Sequence, residues 1–144
     1  MSTDSPDQMP DLASPAAYRH WTECEIRYAD LDTLGHVNNV ASLVFCENAG
    51  VRFFTDAGQP VDADLGWMTV RVELEYRAQL HYPGSVRVGT LARKVGRSSC
   101  HTAHGLFHQG TCVGTCERIM VLVDRTANRS VAIPPDLRER LLQL

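Results

Sequence analysis

The sequence predicts an α+β domain in which a five-stranded antiparallel sheet wraps around one long central helix. Three observations point that way. From Asn38 to Phe54, apolar residues recur at helical spacing (Val40, Leu43, Val44, Val51, Phe54) behind an asparagine suited to cap a helix. Three later stretches alternate in the manner of strands and a fourth, Arg97 to His108, favours strand by composition, with turn residues between them. Finally, an amphipathic sheet must bury its apolar face on something, and the chain offers only one long helix for that purpose.

Met1 to Ala17 is rich in Pro, Ser and Asp and poor in large apolar residues, so a disordered tail is expected, followed by a single domain over residues 18–144. Trp21 to Tyr28 reads as the first strand and the segment ADLDTLGH as a loop. In the helix that follows, Gly50 is a poor interior residue and marks a close packing contact. Asp56 to Gly66, with Gly58, Pro60 and Gly66, reads as a connection. From Trp67 to Leu80, Met68, Val70, Val72, Leu74 and Tyr76 alternate with polar residues, the pattern of a half-buried strand with one wet face. His81 to Gly84 makes a turn, Val86 to Val95 is a strand, and Gly96 ends it. Arg97 to His108 favours strand over helix, Gln109-Gly110 is a hairpin turn, and Thr111 to Asp124 alternates again. Pro134-Pro135 opens a short terminal helix with Asp136 in its first turn.

At 144 residues the chain is long enough to bury a core, and its 44% apolar and 22% charged composition is that of an ordinary soluble domain. A net charge of −3 provides no field for nucleic acid or a membrane surface. There is no apolar run long enough to span a bilayer and no signal-peptide start. The five cysteines are odd in number and scattered, which favours a reducing cytoplasmic compartment. No nucleotide-loop or dinucleotide signature is present, so no cofactor is expected. His101 points away from His104 and His108, which stand roughly 13 Å apart on a strand; no metal site is expected from them. GRSSC lacks the last glycine of a serine nucleophile elbow.

The chemistry concentrates where the carboxylate loop meets the helix. First-turn amides are unpaired donors with the positive end of the helix dipole behind them. They suit a carbonyl oxygen that is gaining negative charge. A loop carboxylate beside them could attack that carbonyl or activate a water. This is equipment for acyl transfer to water. YADLDTLGHVNN, followed by a helix containing a Glu, resembles the active-site signature of hotdog-fold acyl-CoA thioesterases of the 4-hydroxybenzoyl-CoA thioesterase type. The resemblance implies the hotdog fold, hydrolysis of an acyl-CoA thioester, Asp32 as nucleophile or general base, and the backbone amide of Asn39 as the donor that polarises the thioester carbonyl. Asp32 taken alone reads as a residue that caps or orders a turn, and it is the surrounding motif that favours a catalytic role. Asp30 reads as a solvated carboxylate or an arginine partner. His36 could bond Asp32, hold a water or act as base; HVNN also resembles plant acyl-carrier-protein thioesterases, although Leu34 stands where that pattern has Asn.

Glu47 falls on the apolar helix stripe, so it is either paired or functional. In another branch of the resembled family a helix Glu is the base, and here about 12 Å of helix separates it from Asn39. One subunit cannot bring both to a single carbonyl, whereas a dimer could. Arg93, Lys94 and Arg97, with Ser98 and Ser99, form a basic turn that the resemblance sets near the nucleotide of coenzyme A. Expected partners are therefore an acyl-CoA and a second copy of the chain, as a homodimer or homotetramer with the site at the subunit interface. The competing functions are a hotdog dehydratase or hydratase and a non-catalytic acyl-CoA-binding module.

Overall fold

The computed structural model describes residues 9–59 and 64–144. Residues 1–8 of the expected tail and 60–63 of the expected connection lie outside them. Within the remainder of the tail, Pro15–Ala17 form a 3-10 turn and Tyr18 donates its hydroxyl to Leu12 O at 2.7 Å.

The elements run β1 (His20–Glu25), α1 (Asn39–Asp56), β2 (Leu65–Tyr76), β3 (Ser85–Val95), β4 (Ser99–His108), β5 (Thr111–Asp124), β6 (Arg129–Ser130) and α2 (Pro135–Gln143). All strand pairs are antiparallel, in the order β1-β3-β4-β5-β2, and the two-residue β6 adds to β5. The first strand ends three residues short of Tyr28, which opens a 3-10 turn, Tyr28–Asp30, at the head of the carboxylate loop. The strand expected to run from Trp67 ends at Tyr76 rather than Leu80, and the strand and hairpin from Thr111 to Asp124 fall where the alternation puts them. Gln109 and Gly110 both take positive φ, the conformation that a tight two-residue hairpin needs.

The helix packs on β1, β3 and β4. Its buried face is Ala41, Ser42, Phe45, Cys46, Ala49, Gly50, Phe53 and Phe54. This corrects the expected stripe: Phe54 is buried, while Val40, Val44 and Val51 are exposed and Glu47 is half-exposed. The apolar residues of α1 cover more than one face, and small residues and phenylalanines, not the valines, form the buried one. Ala41, Phe45, Cys46 and Ala49 join Val86, Val88, Leu106 and Cys116 in one core cluster. Phe53 and Phe54 join Leu122 of the sheet, Ile133 of the segment before α2, and Leu137 and Leu141 of α2 in a second.

On the other face of the sheet, Gly89 and Gly105 are register partners. A Cβ at either position would stand within 2.8 Å of the Tyr18 ring, so the two glycines make the groove in which Tyr18 lies. The edge strand β2 departs from expectation: Met68, Val70, Val72 and Tyr76 are all exposed, and a register shift between Thr69 and Arg71 breaks the single alternating row expected of them.

Candidate active site

The loop before α1 is held by its own backbone. Asp32 N–H donates to His36 O at 2.8 Å, Val37 N–H to Leu80 O at 3.0 Å, and Asn38 N–H to Asp30 O at 2.7 Å. Gly35 takes φ 77°, which allows the chain to reverse there. Asp30 is buried and accepts from the backbone and guanidinium of Arg27, each at 2.8 Å. Those hydrogen bonds hold its carboxyl below the usual carboxylate range, against the opposing effect of burial. Of the two readings given for Asp30, arginine partner is the one observed.

Asp32 lies half-buried on the inside of this turn. One carboxylate oxygen, Oδ1, accepts from Leu34 N–H at 2.8 Å and His36 N–H at 3.2 Å. Asp32 therefore orders the turn, and the turn in exchange fixes the direction of its carboxylate. The His36 ring does not bond Asp32; it meets the His81 ring edge-on at a centroid distance of 5.2 Å.

The first turn of α1 is capped asymmetrically. Asn38 Oδ1 accepts from Val40 N–H at 2.9 Å, and Asn38 O accepts from Ala41 N–H at 2.9 Å. The N–H of Asn39 has no hydrogen-bond partner among the described residues. Its carbonyl receives the Tyr76 hydroxyl at 2.9 Å, which ties the helix start to β2. Sequence reasoning did not single out Tyr76; its place in an alternating strand gave no hint of this bond. Asp32, His36, Asn39, Ser42 and Tyr76 line one open cleft of about 440 Å³.

Glu47 is not in that cleft. Its Oε1 accepts from Arg118 Nη2 at 2.5 Å, and the arginine is fully buried while the glutamate is half-exposed. The expected choice between a paired and a functional carboxylate thus includes a pair. Arg118 was missed at the sequence level, since it occupies a polar position of an alternating strand. Beneath it, His104 is enclosed between Thr90 and Thr102, with ring nitrogens 3.0 and 3.3 Å from their hydroxyls. Burial, reinforced by the Arg118 charge, pushes its pKa down to about 3.

The basic turn also lies outside the cleft of the single chain. Arg93 is half-buried and ion-paired with Glu117, which is also 3.4 Å from His101. Lys94 and Arg97 are exposed and have no ion pair among the described residues. Gly96 N–H closes the turn on Ser99 O at 2.7 Å, and the Ser98 carbonyl takes Leu122 N–H at 2.8 Å. Arg138 of α2 donates to Val95 O at 2.5 Å and Gly96 O at 2.6 Å, so the turn is anchored from behind.

The family model described as the thioesterase-like superfamily matches residues 26–141. A comparison with curated proteins finds no match. Among solved structures, the PA5185 protein from Pseudomonas aeruginosa strain PAO1 is similar with a TM-score of 0.81 at 28% identity, over 86% of this chain and 90% of that chain. A thioesterase from Thermus thermophilus, complexed with coenzyme A and Zn, gives a TM-score of 0.77 at 26% identity, over 86% of this chain and 98% of that one. DHNA-CoA thioesterase from Staphylococcus aureus shares the fold, with a TM-score of 0.76 at 20% identity over 83% and 86% of the two chains.

Proposed function

The chain belongs to the thioesterase-like superfamily and has its hotdog fold, and from that premise we propose that it hydrolyses an acyl-CoA thioester to the free acid and coenzyme A. The observation that carries the reading is the pairing, in one cleft, of the Asp32 carboxylate with the unpartnered N–H of Asn39. The thioester carbonyl oxygen accepts from Asn39 N–H. That donor is fixed by the helix, so it needs no reorganisation as negative charge develops. Asp32 supplies the other half. Either it attacks the carbonyl carbon and forms a mixed anhydride, which water then opens, or it removes a proton from the water that attacks. In both routes the C–S bond breaks and the thiolate of coenzyme A leaves. Because Oδ1 is occupied by two loop amides, Oδ2 is the oxygen available for the reaction.

Lys94 and Arg97 are the cations proposed to meet the nucleotide phosphates, Ser98 and Ser99 adding hydroxyls. Arg93 contributes less, because Glu117 already neutralises it. No residue of this turn lines the Asp32 cleft in one chain, which, together with the exposed apolar residues of β2, supports a homodimer whose site is completed across the subunits.

The test is release of free thiol from a panel of aromatic, medium-chain and long-chain acyl-CoAs. Steady turnover with at least one member is expected. A dehydratase or a pure acyl-CoA binder releases none, and that result across the panel overturns the reading.

A further inference from the structure

A second pocket opens beside the C-terminal half of α1, between α1, β2 and β5. It holds about 260 Å³, slightly under the usual range for drug-sized ligands. Val51, Phe54, Leu65, Trp67 and Met120 form its apolar lining, and Glu47, Gln59, Arg118 and Arg125 its polar part. The Phe54 and Trp67 rings stack at a centroid distance of 4.3 Å and 18° between planes, which makes one wall flat and rigid.

Arg118 is 1% exposed. It reaches this position because residue 50 is glycine: a Cβ there would stand 2.7 Å from Arg118 Nη1. Its Nη2 donates to Glu47 Oε1 at 2.5 Å and Thr69 Oγ1 at 2.7 Å, and Nη1 to Cys46 O at 3.5 Å. Two donors remain. Arg118 Nε and Trp67 Nε1 are both buried, and neither has a hydrogen-bond partner among the described residues. An unpaired buried N–H is costly, and here two occur on residues lining one pocket. Both lack the same thing, an oxygen acceptor. Glu47, the carboxylate already on Arg118, is 48% exposed and can turn to solvent.

We propose that this pocket binds a small organic carboxylate with an apolar body. The carboxylate accepts from Arg118 Nε–H and Trp67 Nε1–H, displacing Glu47 toward solvent, and the hydrocarbon lies on the Phe54–Trp67 stack. Arginine donates through Nε and Nη2 in parallel to such a group, the geometry that makes it the preferred carboxylate receptor. Acids of this class are also what a thioesterase releases. The site does not depend on that reading, because binding is measured without turnover.

The experiment is titration of the full chain with benzoate and with hexanoate, followed by tryptophan fluorescence and by calorimetry, with benzyl alcohol and hexanol as uncharged controls. Saturable binding of the acids is expected, with the alcohols weaker by about tenfold or more. Trp67→Phe keeps an aromatic ring on Phe54 and removes the N–H; it should abolish the fluorescence change and weaken the calorimetric affinity severalfold. Glu47→Gln removes the competing carboxylate and should tighten binding of both acids, an effect opposite to damage. Absence of saturable binding to the wild type, equal affinity for acids and alcohols, a fluorescence change that persists in Trp67→Phe, or unchanged or weaker binding in Glu47→Gln would each overturn the proposal. Loss of thioester turnover with acid binding intact would refute the thioesterase reading alone.

Discussion

At the scale of single residues, the two carboxylates near α1 have different surroundings and therefore different expected roles. Asp32 is gripped through one oxygen by two loop amides, and its amide isostere keeps an acceptor for both. Asp32→Asn should leave the fold intact and lower kcat about a hundredfold or more, within the usual range for losing a general base. Glu47→Gln keeps an acceptor for Arg118 Nη2, so it should retain most of kcat and cost about 1 kcal/mol of stability. Steady-state kinetics and urea melts on both variants check this. The opposite pattern, activity lost in Glu47→Gln and kept in Asp32→Asn, would move the base to the helix of a partner subunit.

His104 belongs to the same scale. Its ring is neutral when folded, with a pKa of about 3, whereas in the unfolded chain it has an ordinary value of about 6.5. The unfolded state therefore takes up the extra proton. Stability attributable to His104 is complete above about pH 6.5 and falls as pH drops through the window down to about 3, by at most about 1.4 kcal/mol per pH unit. Urea midpoints at pH 7 and pH 5 should differ accordingly, and His104→Gln should flatten that dependence.

At the scale of elements, the start of α1 is both a cap and a proposed oxyanion site. Asn38 satisfies Val40 N–H with its side chain and leaves Asn39 N–H open. Asn38→Ala should cost about 1 kcal/mol of stability and also lower kcat, since the freed Val40 N–H alters the donor set. The β3–β4 turn gives a separate prediction. Replacing Lys94 and Arg97 by Gln should raise KM for acyl-CoA more than it lowers kcat, and should matter little for an acyl-pantetheine. Equal losses on the two substrates would take the turn out of the site. The elements themselves were largely legible. The span of β5 and the Gln109-Gly110 turn read directly, because period and turn chemistry are local. The core-facing row of β5 did not: Cys116, Arg118, Met120 and Leu122 are buried, whereas Ile119, Val121 and Val123 are half-buried. The buried face of α1 was not legible. Its valines suggested one stripe, yet Ala41, Ala49 and Gly50 face the sheet, because close approach of the helix backbone and room for Arg118 favour small residues there.

At the scale of the whole molecule, β2 is an edge strand that leaves several apolar residues uncovered: Val70 is 62% exposed and Met68 53%. Val40, Val44 and Val51 of α1 are exposed as well. An edge of this length with apolar side chains is a template for pairing with another chain. A dimer with the sheet continued through β2 is the expected state, and sedimentation should show it. Val70→Lys should shift it toward monomer and reduce activity in parallel. A stable, fully active monomer would exclude a shared site.

By itself the sequence determined the order of elements, the hairpin turns, the cap at Asn38 and the carboxylate loop, since each depends on residues a few positions apart. It also placed Asp32 and Asn39 together, because loop and helix are contiguous. Tertiary structure alone decided that Glu47 is tied to Arg118, which is 71 residues away. It likewise decided that Tyr76 holds the helix start and that Arg93 is neutralised by Glu117. Those partners meet only because β2 pairs with β5 and because β3 and β5 flank β4. Register between distant strands is set by the burial of the whole apolar face, and no local spacing encodes it.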